Sequence, residues 1–156
     1  MYCDVRDVLQ CLFFFNNNEK LVLEFKTEIR VRYADTDQMQ FVYNGKYLEY
    51  FEVGRTEMLR HYGLPYHFIE SKGFQLPLLE SFVKYISPAY YDDILKIKTF
   101  VREMPIFKIH IDYEITRNEG KEIVAEGFTK HVFINKITKK AVRIPDFFIE
   151  AIKQNY

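Results

Sequence analysis

The sequence predicts an α+β domain in which one curved antiparallel sheet wraps around a single long helix. Three observations carry this. Residues 21–33 read as a strand, with Val22, Leu23, Phe25, Ile29, Val31 and Tyr33 as its apolar members. Residues 45–61 hold the one long helical run, apolar over most of its circumference. From Gly73 to about Ile134 the chain reads as strands joined by turns, the clearest of them alternating with a two-residue period. One helix cannot cover both faces of four or five long strands. The sheet must therefore curve around it, and the remaining surfaces are expected to be hidden by assembly into a dimer or tetramer.

Taken in order, residues 1–20 stand apart from the rest. Val5, Val8, Leu9 and Leu12 recur at helical spacing before Asn16, Asn17 and Asn18 stop the pattern. They are expected to form an appended extension, with residues 21–156 as one domain. In the long helix, Leu48, Phe51, Met58, Leu59 and Tyr62 fall three or four apart, and Tyr47, Tyr50 and Gly54 add a second stripe. Glu49, Glu52, Thr56 and Arg60 leave only a narrow polar face, so a buried helix is expected. Asn44 stands where an N-cap belongs. Leu95, Ile97, Thr99 and Val101 mark a later strand. FKIHIDYEITR is the clearest one, because Phe107, Ile109, Ile111, Tyr113 and Ile115 alternate with polar residues. Asn118-Glu119-Gly120 turns it into another strand running to about Ile134. A polar turn follows over residues 135–140, and Pro145 opens a short C-terminal helix.

The composition narrows the function classes. At 156 residues the chain is long enough to bury about 70% of its unfolded surface. Twenty-two basic residues balance 22 acidic ones, which argues against a nucleic-acid protein and against electrostatic membrane binding. Cys3 and Cys11 lie too close for a useful bridge, and neither has a partner at zinc spacing. The four histidines show no metal-ligand spacing, so no metal and no cofactor are expected. No secretory leader and no run approaching the ~20 apolar residues of a membrane span can be read, which predicts a cytoplasmic protein.

The chemistry-bearing stretch is RYADTDQMQFVYNGKYLEYF, residues 32–51. If extended, Asp35 and Asp37 would lie roughly 7 Å apart. That is too far to share a proton, which disfavours a paired-acid hydrolase. Both acids could simply be turn formers. Alternatively, the amides of Asn44, Gly45 and Lys46 sit at the positive end of a helix and lack intrahelical acceptors, so they could receive a developing oxyanion. A carboxylate across from them could attack a carbonyl carbon or activate water on it. Acyl transfer to water is the chemistry such a stretch supports. A G-x-S-x-G turn, a phosphate loop and a dinucleotide fingerprint are all missing from the sequence.

This segment resembles the signature of the 4-hydroxybenzoyl-CoA thioesterase family of hotdog-fold acyl-CoA thioesterases. KYISPAYYDDILKIKTFV resembles the family's second strand, proline, acidic turn and third strand. FINKITKKAVRIPDFF resembles its closing hairpin and last helix. The resemblance implies that Asp37 is the nucleophile or general base, that the backbone amide at Asn44 is the oxyanion donor, and that Asp35 is structural. Tyr43, Gly45 and Tyr47 around that donor become candidate substrate contacts. Lys139, Lys140 and Arg143 on and after the hairpin become candidates for the nucleotide phosphates of coenzyme A, although a solvated turn would look the same.

Two positions depart from the family pattern. Gln40 stands where glycine is usual, and Asn44 where many members carry histidine. A backbone donor survives the second exchange, and an imidazole role does not. The expected activity is hydrolysis of an acyl-CoA thioester to a carboxylic acid and free coenzyme A. The alternatives are an acyl-ACP thioesterase, an enoyl hydratase, and an acyl-CoA or acyl-ACP binding module without turnover.

Overall fold

The computed structural model describes residues 23–154. The expected N-terminal extension, with Cys3 and Cys11, lies outside them. The chain forms β1 (Leu23–Arg30), a 3-10 turn (Tyr33–Asp35), α1 (Lys46–His61), α2 (Tyr66–Ser71) and β2 (Phe74–Gln75). There follow β3 (Leu78–Tyr85), β4 (Ile94–Val101), β5 (Lys108–Arg117), β6 (Glu122–Asn135), β7 (Ala141–Val142) and α3 (Asp146–Lys153). One antiparallel sheet runs β1-β4-β5-β6, with β3, β2 and β7 all pairing with β6.

The expected strand pattern holds where it was strongest. Ile109, Ile111, Tyr113 and Ile115 are all buried on the inner face of β5. Phe107 is the exception. It stops one residue short of the strand and stays exposed, with the Arg143 guanidinium 5.2 Å from its ring centre.

Helix α1 lies in the hollow of the sheet. Tyr47, Tyr50, Phe51, Gly54, Met58 and Leu59 form its buried face. Gly54 permits the closest approach: a methyl group there would come within 2.5 Å of Thr99 Oγ1 and 2.8 Å of Ile97 Cγ2 on β4. Burial all round is not reached within one chain. Leu48 and Val53 face away from the sheet and remain 41% and 38% exposed. The sheet wraps one side of the helix only.

Two further local expectations are corrected. The N-cap is Gly45 rather than Asn44, and no side chain caps the helix. The chain enters α1 through a tight turn in which the Tyr43 carbonyl accepts the Lys46 amide at 2.9 Å. The Asn44 carbonyl accepts Tyr47 at 3.4 Å. Helix α2 was not expected, because six residues are too few to display a helical period. Pro65 stands at its start with extended backbone. Its Phe68 joins Phe147 of α3, at 5.6 Å between ring centres, and Phe147 in turn meets Phe74 of β2 at 5.9 Å.

Under α1 lies a buried polar chain. Tyr113 shares a hydrogen bond with Thr129 at 2.7 Å, and Thr129 Oγ1 lies 3.0 Å from His131 Nε2. Arg55 of α1 approaches the same nitrogen at 3.2 Å and donates from Nε to the Tyr66 hydroxyl at 2.7 Å. With Arg55 donating to Nε2, the ring is neutral and its proton sits on Nδ1. Burial, and then the Arg55 charge, hold the His131 imidazole down at about 4, while the Leu76 and Pro77 backbone works the other way.

The unfolded chain, with an ordinary histidine near 6.5, therefore takes up this proton first as pH falls. Stability from the neutral ring is full above about pH 6.5 and is lost between there and about pH 4, by on the order of 3 kcal/mol. A His131→Gln variant followed by urea unfolding should lose that part of the acid slope. An unchanged slope would contradict the assignment.

Candidate active site

The acids separate in the folded chain. Asp35 is buried, and its Oδ2 accepts the Arg32 amide at 3.0 Å and the Tyr50 hydroxyl at 3.1 Å. Its backbone carbonyl accepts the Tyr43 amide at 2.9 Å, and Lys46 Nζ stands 3.6 Å from Oδ1. Asp35 thus ties the 3-10 turn to the first turns of α1. Burial, and then this carboxylate, push the Tyr50 phenol well above its ordinary range.

Asp37 points elsewhere. It opens a tight loop in which its amide donates to the Phe41 carbonyl at 3.0 Å and its carbonyl accepts Gln40 at 2.9 Å. Its side-chain Oδ1 accepts the Met39 amide at 2.8 Å. Gln40 holds φ at 69°, the left-handed region that glycine enters freely. The loop therefore keeps a glycine-like path with a larger residue in place, at a strain of about 1 kcal/mol. The Gln40 side chain is exposed and is not among the cavity-lining residues.

Asp37 lines a cavity of about 500 Å³. One wall is the loop and helix entry: Met39, Phe41, Tyr43, Asn44 and Tyr47. The other comes from the end of β3 and the turn after it: Tyr85, Ile86, Ser87 and Pro88. The loop is fastened to this region of the sheet, since the Val42 amide donates to Ala89 at 2.8 Å and Phe41 bridges Tyr90. The lining is chiefly apolar, with Asp37, Asn44 and Ser87 as short polar members, and the Ser87 hydroxyl is already donated to the Ile123 carbonyl at 2.7 Å.

At the helix entry the Lys46 and Tyr47 amides are taken by the Tyr43 and Asn44 carbonyls. The donors left over are the amides of Asn44 and Gly45, which have no acceptor among the described residues. The Tyr43 ring lies directly against Gly45, where a Cβ would come within 2.8 Å of Tyr43 Cε1. The Tyr47 ring is buried and meets Tyr85 edge-on at 5.2 Å. Burial pushes the Tyr47 phenol up to about 12, against a lowering contribution from the Ala89 backbone, so it stays protonated near neutral pH.

The structure thus brings Asp37, Tyr43, Asn44 and Tyr47 to one cavity, with Gly45 beside it. Lys139, Lys140 and Arg143 lie off it. The cavity meets β6 near Val124, whose carbonyl accepts the Ile86 and Ser87 amides, whereas the hairpin leaves β6 after Asn135. About ten strand residues separate the two, on the order of 30 Å. Lys139 Nζ is bonded to Gln75 Oε1 of β2 at 2.8 Å, which fixes the hairpin to that end. The second wall went unread in the sequence because Tyr85 lies 41 residues from Asn44, and only the strand register joins them. Among the described residues no cluster of His, Cys, Asp and Glu could hold a metal ion.

A family model described as the thioesterase-like superfamily matches residues 31–152. The chain belongs to that superfamily. YneP of Bacillus subtilis is 32% identical over 123 residues, covering 79% of this chain and 88% of its own. The acyl-CoA thioester hydrolase YbgC of Escherichia coli is 28% identical over 130 residues, covering 83% and 96%. Among solved structures, the DHNA-CoA thioesterase of Staphylococcus aureus superposes with a TM-score of 0.77 at 32% identity, over 85% of this chain and 90% of its own. The expected hotdog fold and the expected enzyme class, a thioester hydrolase, both hold. Among the described residues no helix is long and apolar enough to cross a membrane.

Proposed function

We propose that the chain hydrolyses an acyl-CoA thioester at the cavity between Asp37 and the start of α1. The observation that carries this reading is that Asp37 and Asn44 line one chiefly apolar cavity, and that the Asn44 amide at the helix entry has no acceptor among the described residues. The thioester oxygen is received by the Asn44 amide, where the helix dipole favours developing negative charge. Asp37 draws a proton from a water that attacks the carbonyl carbon, or attacks it directly, in which case water afterwards cleaves the acyl–Asp37 anhydride to release the acid and restore the carboxylate. The tetrahedral intermediate collapses by breaking the carbon–sulfur bond. Asn44 offers no acidic proton to the leaving group, and none is required, because an alkyl thiol ionises near 8.5 and departs as thiolate. The apolar lining accepts the acyl group, with Tyr43 and Tyr47 against it.

Product analysis on an unsaturated acyl-CoA separates this from hydration. The expected products are free coenzyme A and the unsaturated acid. A hydroxyacyl thioester would overturn the reading.

The nucleotide end is proposed to be held by the basic hairpin of a second copy. Strand β3 pairs with β6 on one edge and with no other described strand, and its Leu78, Leu79, Phe82 and Tyr85 are exposed. Antiparallel self-pairing of two β3 edges would lay the Leu78 end of one copy beside the Tyr85 end of the other. The hairpin, tied to β2, travels with the Leu78 end and so reaches the neighbour's cavity. Light scattering should show a dimer or a larger assembly, and a monomer would contradict this arrangement.

Removing both Lys139 and Lys140 with alanine should raise KM for a CoA thioester roughly tenfold with little change in kcat. A short pantetheine-type thioester lacking the nucleotide should be unaffected. Equal loss on both substrates would show that the hairpin does not bind phosphate.

A further inference from the structure

We infer that Tyr85 is a positioning residue for a second oxyanion donor, the Gly45 amide. The inference rests on the proposed site at Asp37 and Asn44. The Tyr85 hydroxyl, from the end of β3, donates to the Asn44 carbonyl at 3.1 Å. That carbonyl belongs to the same peptide unit as the Gly45 N–H. A peptide unit is planar and trans, so its N–H and C=O point in opposite directions. Whatever anchors the Asn44 oxygen therefore aims the Gly45 hydrogen.

The neighbouring peptide differs in what holds it. The Asn44 N–H is aimed by the Tyr43 carbonyl, which a 2.9 Å bond from Lys46 fixes. The Asn44 carbonyl receives only a long 3.4 Å bond from Tyr47 within the helix. Tyr85 supplies the shorter of its two bonds, and it does so from outside the helix. The Lys46-to-Tyr43 bond closes a turn with Asn44 and Gly45 at its centre, so both N–H groups belong to the unpaired entry end of α1. Two such donors can share one developing oxyanion. Donation to a carbonyl also polarises its amide, which strengthens the N–H at the other end of that unit.

The Tyr85 ring is held for this task. It meets Tyr47 edge-on at 5.2 Å and lines the same cavity as Asp37. The hydroxyl is thus separable from the ring: a phenylalanine keeps the wall and the contact with Tyr47 and loses only the bond to Asn44.

The test is Tyr85→Phe in the full chain. Thiol release from a CoA thioester should fall roughly five- to tenfold in kcat, with KM within twofold and the melting temperature unchanged. The Gly45 amide nitrogen resonance should shift in the same variant without substrate, since its peptide has lost a hydrogen bond. Wild-type kcat with an unmoved Gly45 resonance would overturn the inference, and so would a raised KM at unchanged kcat. An Asp37→Asn variant run alongside separates the two levels. If it retains turnover, the site reading itself fails. If it is inactive while Tyr85→Phe matches wild type, only the role of Tyr85 fails.

Discussion

Asp37→Ala is expected to lower thiol release by on the order of a thousandfold or more, because no other described carboxylate lines the cavity to replace it. The fold should persist. Asp37 is only partly buried and lies in a surface loop, so the variant should lose about 1 kcal/mol or less. What the alanine removes besides charge is the acceptor for the Met39 amide, held at 2.8 Å. Asp37→Asn keeps an oxygen for that bond and removes only the charge. The two variants should therefore be equally inactive while differing slightly in loop stability. If asparagine retained most of the activity, Asp37 would be a turn former, and the chemistry would lie elsewhere. Circular dichroism and melting curves on both variants check that the fold is intact.

The largest expected effect on stability is that of Gly127→Ala on β6. Gly127 pairs with Val83 on one side and Tyr113 on the other. Its missing side chain leaves the seat for Phe51 of α1, which is fully buried and stacked on Tyr113 at 4.2 Å between ring centres. A Cβ there would lie 2.1 Å from the Phe82 carbonyl oxygen and 2.7 Å from Phe51 Cε2. The first contact is with backbone and cannot be relieved by a rotamer change. The strand must bend and α1 must lift.

Overpacking of this kind costs on the order of 3 kcal/mol, which for a domain of this size is a melting-point fall of roughly 10 °C. Because Phe51 lies only about one and a half turns from the helix start, the displaced helix should also carry the Asn44 amide out of place. Activity should then fall even at temperatures where the variant is folded. Gly63→Ala is the comparison: φ is +75° there but nothing lies within 4 Å, so only the backbone penalty of about 1 kcal/mol applies. Equal melting points for the two alanine variants would contradict the packing argument.

How much of this was legible in the chain depended on how local each feature is. The inner face of β5 was readable because Ile109 to Ile115 alternate without interruption, and α1 because sixteen residues give four full turns of pattern. Helix α2 was not, since a six-residue element shows no period and its Pro65 reads equally as a loop. The N-cap was misplaced by one residue. A capping asparagine and an asparagine in a tight entry turn look alike in sequence, and only the Lys46-to-Tyr43 bond tells them apart.

Asp35 and Asp37 could be told apart through the family resemblance alone. Nothing nearby in the sequence shows that Tyr50 and Arg32 would enclose the first while the second opens on a cavity. The wall built from Tyr85 to Pro88 follows from pairing β3 with β6, a long-range register that no local pattern encodes.

The central claim is that this cavity turns over a CoA thioester. The most direct measurement is the steady-state rate of free thiol release by the purified full chain across short, medium, long and aryl acyl-CoA thioesters. The account predicts that at least one of them is hydrolysed with kcat/KM of roughly 10⁴ M⁻¹ s⁻¹ or higher. Tight acyl-CoA binding with no thiol released from any of them would contradict it.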